Sequence, residues 1–131
     1  MAYIDVTKIQ DIFAKKIIDK DPAKSTEALE MATLKTNDLC NRRQVYIADI
    51  PLDETTQNIV SPTLYLYCYH YYLHYLYKSV QGAVSEEDIY TRESMKEEQR
   101  ALAIEPEISK SVIMQKEVID NAKRGGGIPI L

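Results

Sequence analysis

Cys68, His70 and His74 are the side chains in this sequence whose types and spacing come nearest to a reactive or metal-binding constellation. Two histidines four residues apart share one helical face, and that spacing can hold Zn2+. A metalloprotease helix carries a glutamate directly after the first histidine, but Tyr71 stands there. Cys68 falls on a different face. The other reading of His70 and His74 is a polar seam lining an interface. The sequence has no Gly-rich phosphate loop, no GxSxG and no Cys/His pair at a recognised catalytic spacing. The acids are spread over surface faces and form no obvious dyad. Arg42-Arg43 can meet phosphate or a partner's carboxylates, or can sit in solvent at a helix end, where the dipole favours cations. The expectation is a protein without catalysis, cofactor or resident metal, acting through binding surfaces.

The two histidines are carried by SPTLYLYCYHYYLHYLYKSVQG, residues 61–82, in which seven of the thirteen residues from Tyr65 to Tyr77 are tyrosine. Aromatics favour strands. A run of about twenty residues without internal Gly or Pro is nevertheless far longer than an ordinary strand. Its punctuation is also helical: Ser61 as N-cap, Pro62 at the first position and Gly82 just past the end. On a helix, Leu64, Cys68, Tyr71 and Tyr75 share one face. Leu66, Tyr69, Leu73, Leu76 and Tyr77 take the opposite side. His70, His74, Lys78 and Gln81 form a narrow polar stripe. A helix apolar nearly all round needs cover on several sides, from neighbouring helices or neighbouring subunits. A membrane span would also bury it, but a tyrosine-rich segment with two His and a Lys is poorly matched to a bilayer core.

The 131 residues suffice for one domain with one core. Cys40 and Cys68 lie far apart without a CxxC partner. With no dense framework and no apolar leader in MAYIDVTKIQ, free thiols in a reducing compartment are expected. A net charge of −4 argues against a nucleic-acid binder working by bulk charge.

Around the central helix the pattern predicts an all-α bundle of four to five helices in a single domain, residues 1–124. A short extended lead-in precedes a first helix capped by Asp5 or Thr7, with Val6, Ile9, Phe13 and Ile17 on one face. A second helix follows Pro22 and runs from about Ala23 to about Arg43, burying Ala28, Leu29, Ala32, Leu39 and Cys40. Gln44 to Pro62 is an irregular middle loop, with a short strand at 45–47 and Ile50, Leu52, Ile59 and Val60 tacking it to the core. A strongly charged fourth helix is expected from about Glu86 to about Ala103. Its apolar residues are few (Ile89, Tyr90, Met95, Leu102, Ile104), so it is expected on the surface or packed through its ends. Beyond Pro106 a fifth helix, from about Glu107 to about Lys123, carries Met114 and Val118 on a second sticky face.

The tail, residues 125–131, reads Gly-Gly-Gly-Ile-Pro-Ile-Leu. It is either a frayed terminus or an extended arm that docks Ile128, Pro129, Ile130 and Leu131 on a neighbouring subunit. The remaining candidate interaction residues are Tyr65, Tyr69, Tyr72 and Leu76 on the central helix, together with Arg42 and Arg43.

The order of these elements resembles a known family. A helix ends in Asn41-Arg42-Arg43, followed by Val45-Tyr46 and Ile50-Pro51-Leu52. A Pro-initiated, Tyr/Leu-rich helix comes next, then Asp88-Ile89-Tyr90 opening an amphiphilic helix, then an apolar Pro-containing tail. Over residues 28–104 this is similar to the small helical head–tail connector (adaptor) proteins of tailed bacteriophages, closest to the Mu-like family. That family's pattern runs Arg-Tyr turn, Pro-Leu, tyrosine-bearing helix; here Gln44 and Val45 separate Arg43 from Tyr46. The resemblance implies a virion structural protein of the neck, assembled in the host cytoplasm. It implies a homo-oligomeric ring beneath the portal protein that extends the DNA channel, passes DNA without sequence-specific binding, and offers a platform to a downstream neck or tail protein. The alternative from size, acidity and helicity alone is a small helical regulatory protein that binds one partner.

Overall fold

The computed structural model of the chain describes residues 2–59, 61–80 and 89–109. Four α-helices form the frame: α1 Ile12–Lys20, α2 Pro22–Arg42, α3 Pro62–Ser79 and α4 Ile89–Ile104. Short 3-10 turns occupy Val6–Lys8, Ile47–Asp49 and Glu105–Glu107. The fold is the expected all-α bundle, and among the described residues the only β pairing is one isolated bridge between Leu52 and Ile59. Among the same residues no helix is long and apolar enough to cross a membrane.

The tyrosine helix is the centre of the bundle. Ser61 Oγ accepts from Leu64 N, Pro62 takes the first position, and the helix stops at Ser79. Gly82, the expected stop, lies outside the described residues. α2 runs antiparallel to α3: Ser25 meets Tyr72 and, further along, Thr36 meets Cys68. α4 is antiparallel on the other flank, since Ser94 meets His74, Glu97 meets His70 and Glu105 meets Tyr67. The two flanks bury Leu64, Tyr67, Cys68, Tyr71, Tyr72, Leu73, Leu76 and Tyr77. α2 contributes Ala28, Ala32, Leu39 and Cys40 as expected, with Leu29 only partly buried.

Three expectations about elements are corrected. The single N-terminal helix is broken in two. Asp5 accepts from Thr7 N and Thr7 Oγ1, but this cap builds only the 3-10 turn. Ile9 then turns extended, and Asp11 starts α1 by accepting from Ala14 N at 2.8 Å. The new start changes the face: Ala14 and Ile17 point inward, and Phe13 is left exposed.

The short strand at 45–47 is absent. α2 closes in a Schellman-type turn, with Gln44 at φ 61° and Val45 N donating to Cys40 O at 2.9 Å. This drives Val45 into the core and leaves Tyr46 at 79% exposure. The connection is then tied down by Ile50 and Ile59, by Ile59 N donating to Ala2 O, and by an Asp53 turn that accepts from Thr55 N and Thr56 N.

The charged α4 packs along its length, through a stripe of Ser94, Glu97 and Ala101. Its larger apolar residues Ile89, Met95 and Leu102 face outward. A helix packs on small and polar residues when the opposing face offers matching donors and acceptors, and α3 does. Of the expected fifth helix from Glu107 only residues 107–109 are described: Glu107 closes the 3-10 turn, and Ile108 is extended and buried. Residues 110–131, with Met114, Val118, Ile128, Pro129, Ile130 and Leu131, lie outside the described residues, as does Val60.

Candidate functional site

The polar stripe of α3 meets the stripe of α4. His70 Nδ1 lies 2.6 Å from Glu97 Oε2, and Arg100 Nη1 donates to Glu97 Oε1 at 2.5 Å. The Glu97 carboxylate is thus buried but has a partner on each oxygen. One turn away, His74 Nδ1 lies 2.8 Å from the Ser94 carbonyl, which can only accept, so that nitrogen carries the proton. Ser94 Oγ donates to the His74 carbonyl at 3.1 Å. His74 Nε2 looks toward Glu98 Oε2, 3.6 Å away. The i,i+4 histidine pair therefore joins two helices, which is the seam reading of the spacing. Among the described residues no three His, Cys, Asp or Glu side chains group as a metal set. Cys68 belongs to the opposite flank. Burial pushes its thiol up to about 11, against the Thr36 hydroxyl bond, and both cysteines are free.

Arg42 and Arg43 form a second cluster, at the end of α2. Arg42 Nη1 donates to Glu105 Oε1 at 3.1 Å and Arg42 Nε to Asp38 Oδ2 at 3.2 Å. Arg43 Nη2 donates to the Glu105 carbonyl at 3.2 Å, and the Tyr67 hydroxyl points at Glu105 Oε2. Arg43 Nε is buried without a hydrogen-bond partner among the described residues. The pair clamps the end of α2 to the end of α4. Half of the Arg42 side chain stays in solvent, within reach of an outside carboxylate or phosphate.

The tyrosines expected to bind partners divide. Tyr65 is exposed, and its ring stacks on the partly buried Tyr69 ring with centroids 6.0 Å apart and 4° between planes. Burial, helped by the nearby Asp11 and Glu97 carboxylates, pushes the Tyr69 phenol up. Tyr72 and Leu76 are fully buried inside the protomer and present nothing to a partner. The Tyr72 hydroxyl is satisfied by Ser25 Oγ at 2.7 Å, so α2 supplies the cover that the sequence left open between a helix and a subunit.

Sequence reasoning missed Ser94, Glu97 and Glu105, because it weighed α4 by its apolar residues. The usable signal was Ser94, Glu97 and Ala101 at helical spacing, matched to the spacing of His70 and His74. It also missed the exposure of Tyr46, which depends on a left-handed residue that is not glycine.

Large apolar side chains remain exposed on each of the four described helices: Ile12 and Phe13 on α1, Met31 and Leu34 on α2, Tyr65 and Leu66 on α3, Met95 and Leu102 on α4. This distribution offers more than one contact surface. No family model matches the chain, and no curated protein or solved structure matches it significantly.

Proposed function

We propose that the chain is a structural subunit of a tailed-phage neck. In this reading it is a head–tail connector that forms a ring beneath the portal protein, extends the DNA channel and seats a downstream neck or tail protein. The observation that carries this reading is the order of motifs over residues 28–104, from Asn41-Arg42-Arg43 through the tyrosine helix to Asp88-Ile89-Tyr90. Its physical support is the exposure of apolar side chains on separate helices, such as Met31 and Leu34 on α2 and Tyr65 and Leu66 on α3. A ring is built from head-to-tail contacts, so each subunit needs two different adhesive surfaces. A net charge of −4 suits a channel through which DNA slides without being gripped.

The test is a protein inventory, by mass spectrometry, of density-banded particles from the producing culture. The expected result is this chain at tens of copies or fewer per particle, beside a portal protein. Particles that form without the chain would overturn the reading and leave the partner-binding regulator in its place.

A further inference from the structure

α3 is covered unevenly on the side that carries Leu66, Tyr69, Leu73, Leu76 and Tyr77. α1 has nine residues against eighteen in α3, so it can shield only about half of that length. It lies against the C-terminal half. Asp11 Oδ1 accepts from the Tyr77 hydroxyl at 2.7 Å, and Ile17 and Val80 line one cavity. Leu73, Leu76 and Tyr77 are buried there. The N-terminal half stays open: Tyr65 is 44% and Leu66 41% exposed, with Tyr69 between them on the next turn. Ile12, 68% exposed, follows Asp11 at the edge where α1 begins.

This strip has a spacing. The Tyr65 and Tyr69 rings are parallel rungs 6.0 Å apart. An extended chain sets alternate side chains about 6.6 Å apart, so apolar residues at i and i+2 match the rungs. The sequence offers such a segment in Ile128-Pro129-Ile130-Leu131, preceded by three glycines. Pro129 fixes its own φ and biases Ile128 toward extended backbone, which lowers the ordering cost of docking.

We propose that the Tyr65–Leu66–Tyr69 strip is the receptor for residues 128–131 of a second copy of this chain. The choice of a second copy rests on the ring reading above, in which the receptor and the arm are the two unlike surfaces of one head-to-tail contact.

The test uses the full chain with photo-reactive benzoylphenylalanine in place of Tyr65. Copies of natural and heavy nitrogen composition are mixed, irradiated and analysed by mass spectrometry. The expected product joins position 65 of one isotope to residues 125–131 of the other. Cross-links confined to a single isotope would show that the chain covers its own strip, and cross-links elsewhere or none at all would remove the contact; each overturns the proposal. As a second readout, Leu66→Ser alters an exposed side chain. It should keep the helical circular dichroism and weaken self-association about tenfold by sedimentation; unchanged association overturns the proposal. The particle inventory does not depend on this contact. The chain in particles without the cross-link sinks the docking alone, and the cross-link without the chain in particles sinks the connector reading alone.

Discussion

Gln44 sits at φ 61° so that Val45 can turn back into the core, and its own side chain is exposed. A non-glycine residue held in that region costs about 1 kcal/mol or more. Gln44→Gly should therefore raise stability by about 0.5–1 kcal/mol, read as a higher denaturant midpoint at unchanged slope; a lower midpoint would mean that the Gln44 side chain contributes something its exposure hides. The tyrosines lead to a second expectation at this scale. Burial raises the phenols of Tyr3, Tyr67, Tyr69, Tyr71, Tyr72, Tyr75 and Tyr77 and the thiols of Cys40 and Cys68. The unfolded chain releases these protons first, so it binds fewer protons than the native state once the pH passes the ordinary thiol value of 9.0 and then the phenol value of 10.0. Stability is fully present below pH 9.0 and falls as the pH rises through the raised native values. Helical circular dichroism and the tyrosinate absorbance contributed by these seven phenols should change together in one alkaline transition. Titration of these phenols while the helices persist would contradict the burial described here.

At the scale of elements, α4 is where sequence and structure part. Hydrophobic periodicity finds Ala28, Ala32, Leu39 and Cys40 on α2 and the Leu64–Cys68–Tyr71 face of α3, but on α3 it leaves buried Tyr67 and Tyr72 unassigned and puts exposed Leu66 on an apolar face. It points the wrong way on α4, where Leu102 is half exposed and Ala101 fully buried. The physical reason is that α3 opposes α4 with two histidines, so the matching stripe is Ser94 and Glu97, closed by an alanine that lets the helices approach. Polar complementarity between two helices cannot be read from either helix alone. The caps of α2 and α3 were legible because Pro22, Ser61 and Pro62 act locally. The break before α1 was not, because Asp5 and Asp11 both cap, one the 3-10 turn and the other α1, and the sequence between them carries no Gly or Pro to mark the break. Paired substitutions check the facing of α4. Ala101→Leu should cost about 1–3 kcal/mol by overpacking, while Leu102→Ala should change stability by less than about 0.5 kcal/mol. The reverse ranking in thermal or denaturant unfolding would rotate α4 by one residue and dismantle the seam.

At the scale of the whole molecule, the chain closes one core from Tyr3 to Ile108 and still leaves large apolar side chains in water on all four helices. Scattered exposed leucines are ordinary; the stacked pair Tyr65–Tyr69 beside Leu66 groups three such side chains on one side of α3, the surface proposed above for a second copy. Folding and assembly should therefore separate experimentally. Deleting residues 128–131 removes three apolar residues and a proline from a segment that follows three glycines. If that segment serves a neighbour, the truncated chain should keep its helical signal and a melting temperature within a few degrees, since a loss of 1 kcal/mol shifts a domain of this size by about 4 °C. Its self-association should fall, measured by sedimentation at matched concentration. A truncated chain that melts far lower at any concentration would assign the segment to the protomer's own core. The exposed strip on α3 would then need another occupant, and the head-to-tail contact would have to be sought on Met31 and Leu34 or on Met95 and Leu102.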